Sequence, residues 1–268
     1  MPLLLTIMLF AAFGGIASAA VAVVFLWVRE DQSAHILPHF VSFATGALLG
    51  AALLALLPEA IAGAGPQGAY AIGLTLIAGL GVFFVIEKLV LWWHTHGREG
   101  NPADPHGHSH EAAHGHSSFH ASGVLVLVGD SLHNTLDGVL IAAAFLSSTS
   151  LGMLTTFAVA AHEIPHRVGD FAILVQAGLS RPRALLFNLA TGVASVIGAA
   201  AAYFALRQTL AALPYAVAFA AAGFLYIAVA GLMPGLQRRT DPRSSAVQVL
   251  LIAAGIALIA GAERLTHQ

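Results

Sequence analysis

Long apolar segments alternate along the whole chain with short breaks that contain polar residues, Gly or Pro. Each segment holds about 20 residues or more, which is the length that a helix needs to cross a membrane. We therefore predict an all-α integral membrane protein with eight transmembrane helices. Their predicted ranges are 4–28, 36–62, 69–93, 122–147, 150–178, 183–207, 211–235 and 245–264. Most of the breaks are too short for a soluble domain, so we expect residues 1–268 to form a single transmembrane domain.

The composition supports a membrane location and limits the candidate chemistry. Hydrophobic residues make up 58% of the chain and charged residues 9%, with a mean hydropathy of +0.83, whereas a soluble domain carries about 25% charged residues. No Lys or Arg precedes the first apolar segment, so we interpret it as a helix and not as a secretion signal. Because the chain contains no cysteine, a metal site would have to use His, carboxylate or amide ligands. We expect the lipid bilayer as a partner, but no nucleic acid and no organic cofactor.

The distribution of Lys and Arg predicts the orientation of the helices, because positively charged loops stay on the cytoplasmic side. Eight basic residues lie in or beside the loops that follow the first, third, fifth and seventh helices, whereas two adjoin the opposite side. This difference places both termini outside and the long loop at about 94–121 in the cytoplasm. The eight residues are Arg29, Lys88, Arg98, Arg181, Arg183, Arg238, Arg239 and Arg243, and the two are Arg207 and Arg264.

Two segments place ionisable side chains in apolar surroundings, GDSLHNTLDG (129–138) and HEIPHRVGD (162–170). Each carries three potential ligands at positions i, i+1 and i+4, so two project from one face of a helix and the third lies about 100° around it. The six residues are His133, Asn134 and Asp137 in the first segment and His162, Glu163 and His166 in the second. Ionisable groups at membrane depth are costly and usually mark a functional site. Their nitrogen and oxygen atoms suit Zn²⁺ or another first-row divalent metal.

The predicted helix ends allow the depth of both segments to be estimated. His133 lies about eleven residues into the fourth helix from the cytoplasm, and His162 about twelve residues into the fifth helix from outside. At about 1.5 Å per residue, both lie about 16–18 Å deep, near the middle of a hydrocarbon core of about 30 Å. Transporters place their substrate sites at this depth. Pro165 lies between two potential ligands, and we predict a kink that shapes the site.

Other polar residues indicate a pathway and a place where metal is captured. Glu59, Asp130 and Asn188 are candidate pathway residues at the outer end of the second helix, beside the first segment and near the cytoplasmic end of the sixth helix. The cytoplasmic loop carries a His-rich tract that is expected to bind metal loosely. Its histidines are His106, His108, His110, His114, His116 and His120. Gly46 and Gly50 form a GxxxG pattern, which indicates close helix packing.

These motifs resemble those of the ZIP family of zinc and iron transporters. HNTLDG (133–138) is similar to the HNxxDG of that family's fourth helix, and HEIPHRVGDFAIL (162–174) is similar to the HEIPHE-type signature of the subfamily with histidine-rich loops. AAGFLYIAV (221–229) is similar to its seventh-helix segment. The resemblance implies import of a divalent metal into the cytoplasm, with Zn²⁺ as the favoured substrate and Cd²⁺, Fe²⁺, Mn²⁺ and Co²⁺ as further candidates. We further expect a bacterial member located in the cytoplasmic (inner) membrane, and the resemblance also allows for a homodimer.

The resemblance implies site residues position by position. The primary site would draw on His133, Asp137, His162 and His166. A neighbouring second site would use Asn134 and Glu163, with Asp137 and His166 bridging the two sites.

The chain departs from the family pattern near this implied second site. Arg167 stands where the subfamily usually has Glu, and Pro234–Gly235 replaces the usual PE of the seventh helix. Ala51 and Ala55 stand where family members often carry an acidic residue and a His. A fixed cation at Arg167 could replace a second metal electrostatically. The i, i+3 spacing of Arg167 and Asp170 also predicts that these two side chains pair.

Two other functions fit parts of the pattern. HEIPH is a literal HExxH, the zinc-peptidase pattern with Glu163 as general base, and the LDG at 136–138 also occurs in membrane-embedded metalloproteases. However, LDG precedes HExxH here, and Pro165 perturbs the helix of the motif. A full second triplet, His133, Asn134 and Asp137, also brings the number of ligands above the three that a peptidase needs. An exporter like the cation diffusion facilitators would also combine intramembrane His and Asp with His-rich loops, but that family usually has six spans and a soluble C-terminal domain. We therefore favour a transporter over an enzyme.

Overall fold

The structure is a computed structural model that describes residues 2–27, 30–96, 115–176, 178–238 and 241–266. The described residues form eight helical rods, named α1 to α8 in chain order, so the predicted all-α class is confirmed. The first four are α1 (Leu3–Trp27), α2 (Glu30–Gly50, continued by Ala51–Leu56 and Leu57–Ala64), α3 (Ala69–His96) and α4 (Gly115–Ser147). The others are α5 (Thr149–Gln176), α6 (Arg181–Arg207), α7 (Leu213–Tyr226, continued by Ile227–Leu232 and Met233–Leu236) and α8 (Pro242–Thr266).

The apolar character of these helices supports an integral membrane protein. Within the described residues, five helices are long and apolar enough to cross a membrane, and α1 adds a shorter apolar stretch, Leu3–Ala19. The five are Ile36–Ala64, Ala69–Leu89, Arg181–Arg207, Leu210–Leu236 and Pro242–Leu265. α4 and α5, the helices that carry the two polar segments, are not among these five.

The predicted helix ends agree with the observed ones to within a few residues except at two starts: α2 begins at Glu30 rather than at 36, and α4 begins at Gly115 rather than at 122. Several residues that the sequence singled out lie outside the described residues or have side chains outside that description. They are His106, His108, His110, His114, His116 and His120 of the His-rich tract, together with Arg29, Arg98 and Arg239.

A π-helical turn interrupts both α2 and α7 just before a proline. Ala51–Leu56 precedes Pro58, and Ile227–Leu232 precedes Pro234. Proline has no backbone N–H and its ring crowds the carbonyl four residues earlier, so a locally wider turn accommodates it. By contrast, α5 remains α-helical across Pro165.

α4 packs against α5, α6 and α7, and its approach to α6 is the closest. A Cβ atom added to Gly138 would lie 1.9 Å from the backbone oxygen of Ser195, and one added to Gly198 would lie 2.1 Å from that of Thr135. Only glycine allows two helix backbones to touch in this way. The crossing therefore fixes the position of α4 next to Asp137, one of the predicted ligands.

α2 and α8 also cross at glycines. A Cβ atom on Gly46 would lie 2.1 Å from the backbone oxygen of Ile252, and one on Gly255 would lie 2.4 Å from that of Phe43. The close packing that the GxxxG pattern predicted at Gly46 is confirmed. α2 also packs against α5, the helix that carries the second polar segment.

The main apolar core fills the space between the polar segments and the turn that joins α4 to α5. It includes Leu140, Ile141 and Phe145 of α4 and Leu151 and Ala158 of α5, all of which are buried. These side chains close this end of the helix pair. The polar segments lie further from the turn along both helices.

Candidate metal centre

The two polar segments meet where α4 and α5 run antiparallel. Nε2 of His133 and Nε2 of His162 are 3.1 Å apart. Oδ2 of Asp137 lies 3.7 Å from Nε2 of His133 and 3.5 Å from Nε2 of His162, and Oε1 of Glu163 lies 3.6 Å from Nε2 of His133. One donor atom from each of these four residues lies within 4.8 Å of all the others. We call this group the four-donor centre.

The spacing of the four-donor centre suits one tetrahedral metal ion. Four donors about 2.0–2.1 Å from a Zn²⁺ ion at tetrahedral angles lie about 3.3–3.4 Å from one another. Four of the six separations run from 3.1 to 3.7 Å, on both sides of that value, and all six are within 4.8 Å. Two imidazoles and two carboxylates are also ligands that zinc commonly takes.

The carboxylates of the centre are buried without the hydrogen bonds that such groups normally require. Asp137 and Glu163 are each 1% exposed. Within the described residues, no carboxylate oxygen of Asp137 or Glu163 accepts a hydrogen bond, although Oε2 of Glu163 forms an ion pair with Arg167. An unpaired buried carboxylate is costly, and a divalent cation would offset that cost. The residues present therefore fit a metal ion.

A second contact sets the tautomer of His162. Its Nδ1 lies 3.2 Å from the backbone oxygen of Ala158, which can only accept a hydrogen bond. The proton must then reside on Nδ1, so Nε2 presents a lone pair toward His133 and Asp137. This is the orientation that a metal-binding imidazole needs.

His166 lies in a neighbouring group rather than in the four-donor centre. Its Nδ1 donates a hydrogen bond of 2.9 Å to Oδ2 of Asp170, and Asp130 completes a group of three potential ligands. The rings of His166 and His133 are stacked, with centroids 5.1 Å apart. The Asp130–His166–Asp170 group is thus adjacent to the centre, on the side of the helix pair away from the α4–α5 turn. The predicted pairing of Arg167 with Asp170 is wrong, because Asp170 pairs with His166.

Arg167 pairs instead with Glu163, one helical turn earlier. Its Nε lies 2.8 Å from Oε2 of Glu163, and its side chain is fully buried. The guanidinium also donates to the side-chain oxygens of Asn134, Asn188, Thr191 and Ser18. Asn134 and Asn188, predicted as a ligand and as a pathway residue, are both engaged by Arg167.

Exposure increases along the site toward the end of the bundle where α4 begins and α5 ends. The exposed side-chain fraction is 1% for His162, 21% for His133 and 45% for His166. On the other side of the centre, the apolar core closes the helix pair. The site is therefore most exposed at the Asp130–His166–Asp170 group, toward this end of the bundle.

Glu59 lies at the closed end. Its Oε1 accepts a hydrogen bond of 2.5 Å from Oγ of Ser147, at the last residue of α4. This contact links α2 to α4 beside the apolar core. The hydroxyl of Thr155 is also buried there, on the same face of α5 as His162, and has no hydrogen-bond partner within the described residues.

The sequence did not single out Ser18 and Thr191 as parts of the site. Both are buried small polar residues inside apolar helices, and both contact Arg167. A buried arginine must find several acceptors, which is the one signal that could have drawn attention to them.

The sequence of this chain matches a known family over most of its length. The family model described as the ZIP zinc transporter matches residues 2–124 and 102–263, which include both helices of the centre. The chain is 35% identical over 247 residues to Zinc transporter ZIP13 of Pongo abelii, with 87% of this chain and 68% of that protein covered. It is 30% identical over 321 residues to Zinc transporter SLC39A7 of Mus musculus, covering 91% and 67% of the two chains. It is also 29% identical over 252 residues to Zinc transporter YKE4 of Saccharomyces cerevisiae, covering 87% and 72%. These matches and the helices that carry the four-donor centre lead to one conclusion, that the chain belongs to the ZIP zinc transporter family.

Proposed function

We propose that this protein transports divalent metal ions, with Zn²⁺ as its main substrate, across a membrane into the cytoplasm. The observation that carries this proposal is the convergence of His133, Asp137, His162 and Glu163 at the spacing of a tetrahedral zinc site. Membership of the ZIP family and the printed names of the relatives, which are zinc transporters, support it.

The proposed topology has eight spans in a single domain, with both termini outside and the His-rich loop in the cytoplasm. Three rods, α1, α4 and α5, would then cross the bilayer together with the five apolar helices. The excess of Lys and Arg in the loops after α1, α3, α5 and α7 supports this orientation. We propose the cytoplasmic membrane of a bacterium as the location.

The proposed pathway passes along the α4–α5 pair. An ion enters from outside near Glu59 and Thr155, binds at the four-donor centre, and leaves past the Asp130–His166–Asp170 group toward the loop histidines. The ligands would be neutral imidazoles and ionised carboxylates, as metal binding requires. In the orientation proposed above, the more exposed end of the site faces the cytoplasm. The helices would then be in the arrangement that releases an ion to the cytoplasm. Uptake of the next ion then requires the helices to rearrange and open the side near Glu59.

The contact between Glu163 and Arg167 argues against the peptidase alternative. The Glu of an HExxH peptidase must take a proton from the attacking water. Here one oxygen of Glu163 is held by a buried guanidinium 2.8 Å away and the other points at the imidazoles. His166, the second His of the motif, is hydrogen-bonded to Asp170 and belongs to a different group of ligands. We therefore infer a transporter and not an enzyme.

Reconstituted protein provides the test. Proteoliposomes that contain the purified chain should take up radioactive Zn²⁺ with saturation, and Cd²⁺, Co²⁺, Mn²⁺ or Fe²⁺ should compete to the extent that each fits the centre. Uptake no faster than in protein-free liposomes would contradict the proposal. So would cleavage of a membrane peptide that is abolished by Glu163→Gln, because it would assign Glu163 to hydrolysis.

A further inference from the structure

A permanently charged side chain, that of Arg167, lies beside the four-donor centre. Among the described residues that are fully buried, Arg167 has the largest side chain, and its guanidinium cannot lose its proton in a protein. It lies beside the four-donor centre and not in a separate part of the fold, because its Nε is 2.8 Å from the carboxylate of Glu163. The two polar segments together offer six potential ligands, and this cation decides how many of them remain for a metal ion.

Asn134 has no atom left for a metal ion. Its Nδ2 donates hydrogen bonds of 2.9 Å to the backbone oxygen and to Oδ1 of Asp130. Its Oδ1, the only atom with which an amide side chain binds hard or borderline metals, accepts a hydrogen bond of 2.9 Å from Nη2 of Arg167. A metal ion at Oδ1 would have to displace the guanidinium.

Glu163 divides its two oxygens between the centre and Arg167. Oε1 lies 3.6 Å from Nε2 of His133, whereas Oε2 forms an ion pair with Nε of Arg167, and within the described residues neither oxygen accepts a hydrogen bond. A carboxylate between two metal ions commonly bridges them with its two oxygens. Here the second oxygen already bridges to a cation that belongs to the protein.

We propose that the guanidinium of Arg167 stands in the place of a second metal ion, so that the centre binds one divalent ion at a time. This inference rests on the proposed function, because it assumes that the four-donor centre binds metal. The positive charge of Arg167 keeps Asn134 and Oε2 of Glu163 from binding a second cation, and it balances part of the charge of the carboxylates. Arg167 is thus a residue that sets metal stoichiometry rather than a ligand.

The guanidinium is also held too firmly to move aside for an ion. Nε donates to Ser18 of α1, and Nη1 donates to the backbone oxygen of Asn188, to its Oδ1 and to Thr191, all of α6. Asn188 in turn donates from Nδ2 to the backbone oxygen of Arg167 at 2.9 Å. With the hydrogen bond from Nη2 to Asn134 of α4, three helices besides its own therefore contact this side chain. A purely structural brace would make the same contacts, so the test must count metal ions rather than measure stability.

The experiment counts Zn²⁺ bound to purified protein by mass spectrometry, in a background where the six loop histidines are replaced by Ala. His162→Ala tests the proposed function, since it should lower the count by one ion per chain. An unchanged number of bound Zn²⁺ ions in His162→Ala would overturn the proposed function, independently of the results for the Arg167 variants. Asn134→Ala in the same background should leave the count unchanged, and loss of an ion would overturn the inference because Asn134 would already be a ligand.

Substitution of Arg167 completes the test. Arg167→Glu should raise the count by one ion per chain relative to the background protein, and Asn134→Ala added to Arg167→Glu should remove that extra ion. Arg167→Lys, which keeps a positive charge, should not raise it. A folded Arg167→Glu protein with no extra ion, or an Arg167→Lys protein that gains one, would overturn the inference while leaving the four-donor centre intact. Size-exclusion elution identifies the folded variants, and the Asn134→Ala arm applies even if Arg167→Glu does not fold.

Discussion

Nε2 of His133 and Nε2 of His162 lie 3.1 Å apart, although the residues are 29 positions apart and belong to antiparallel helices. Two bare nitrogens at this distance repel each other unless a proton or a metal ion lies between them. The backbone oxygen of Ala158 fixes the proton of His162 on Nδ1, so His162 offers only a lone pair at this contact. The pair of rings therefore forms one edge of a candidate ligand set that a divalent ion would complete.

Removal of a ligand from this edge should abolish transport. We expect His162→Ala and Asp137→Ala to lower zinc uptake into proteoliposomes by about 100-fold or more, because the loss of a direct ligand should cost at least as much as the loss of an outer-shell partner. Leu132→Ala is a matched control on α4, since Leu132 is 49% exposed on the helix surface beside His133. Full uptake by either ligand variant, at normal protein levels, would refute the assignment of the centre.

The crossing of α4 and α6 should tolerate no side chain. Gly138→Ala would place a Cβ atom 1.9 Å from the backbone oxygen of Ser195, and the helices would have to separate. We expect a loss of about 1–3 kcal/mol in the free energy of unfolding, as in other overpacked sites. Gly73→Ala is the control, because a Cβ atom there meets nothing within 4 Å. Thermal unfolding in detergent measures both, and equal melting temperatures for the two variants would contradict the crossing.

The sequence predicted the helices and the meeting of the two polar segments because both depend on local patterns. Apolar segments of spanning length gave the all-α class, and the i, i+1, i+4 spacing put ligands on facing sides of α4 and α5. Loop charges and helix rise predicted that His133 and His162 lie at one depth, and the contact between their rings agrees with that expectation.

The partners of Arg167 could not be predicted in this way. Ser18 is 149 residues away along the chain and Asn188 is 21 residues away, so only the packing of α1 and α6 on α5 brings them together. The i, i+3 spacing to Asp170 suggested a pair that does not form, because Glu163 lies one turn earlier on the same helix and is nearer to the guanidinium. The π turns before Pro58 and Pro234 also escaped prediction, since a proline within an apolar helix is compatible with several backbone geometries.

Zinc binding should weaken as the pH falls. An ion binds imidazole and carboxylate groups only in their unprotonated forms, so protons compete for the same atoms. We expect the affinity to drop by up to about tenfold per pH unit for each proton that the ion must displace. Titration of the protein without loop histidines, between neutral and mildly acidic pH, measures this dependence at the centre alone. An affinity that does not change with pH would mean that His133 and His162 are not ligands.

Access to the centre should be restricted to one side in the arrangement described here. The chain has no cysteine, so single substitutions can report exposure without a background reaction. His166, whose side chain is 45% exposed, and Thr155, which is fully buried near the closed end, make a matched pair on α5. We expect His166→Cys to react with a membrane-impermeant thiol reagent from the cytoplasmic side in inside-out vesicles, and Thr155→Cys to react far more slowly from either side.

Tyr70→Cys, at a position that is 79% exposed at the start of α3, should react only in right-side-out vesicles and so reports the orientation. Reaction of His166→Cys from the outer side alone would reverse the proposed direction of release, whereas rapid reaction of Thr155→Cys from outside would show that the apolar core does not close the pathway.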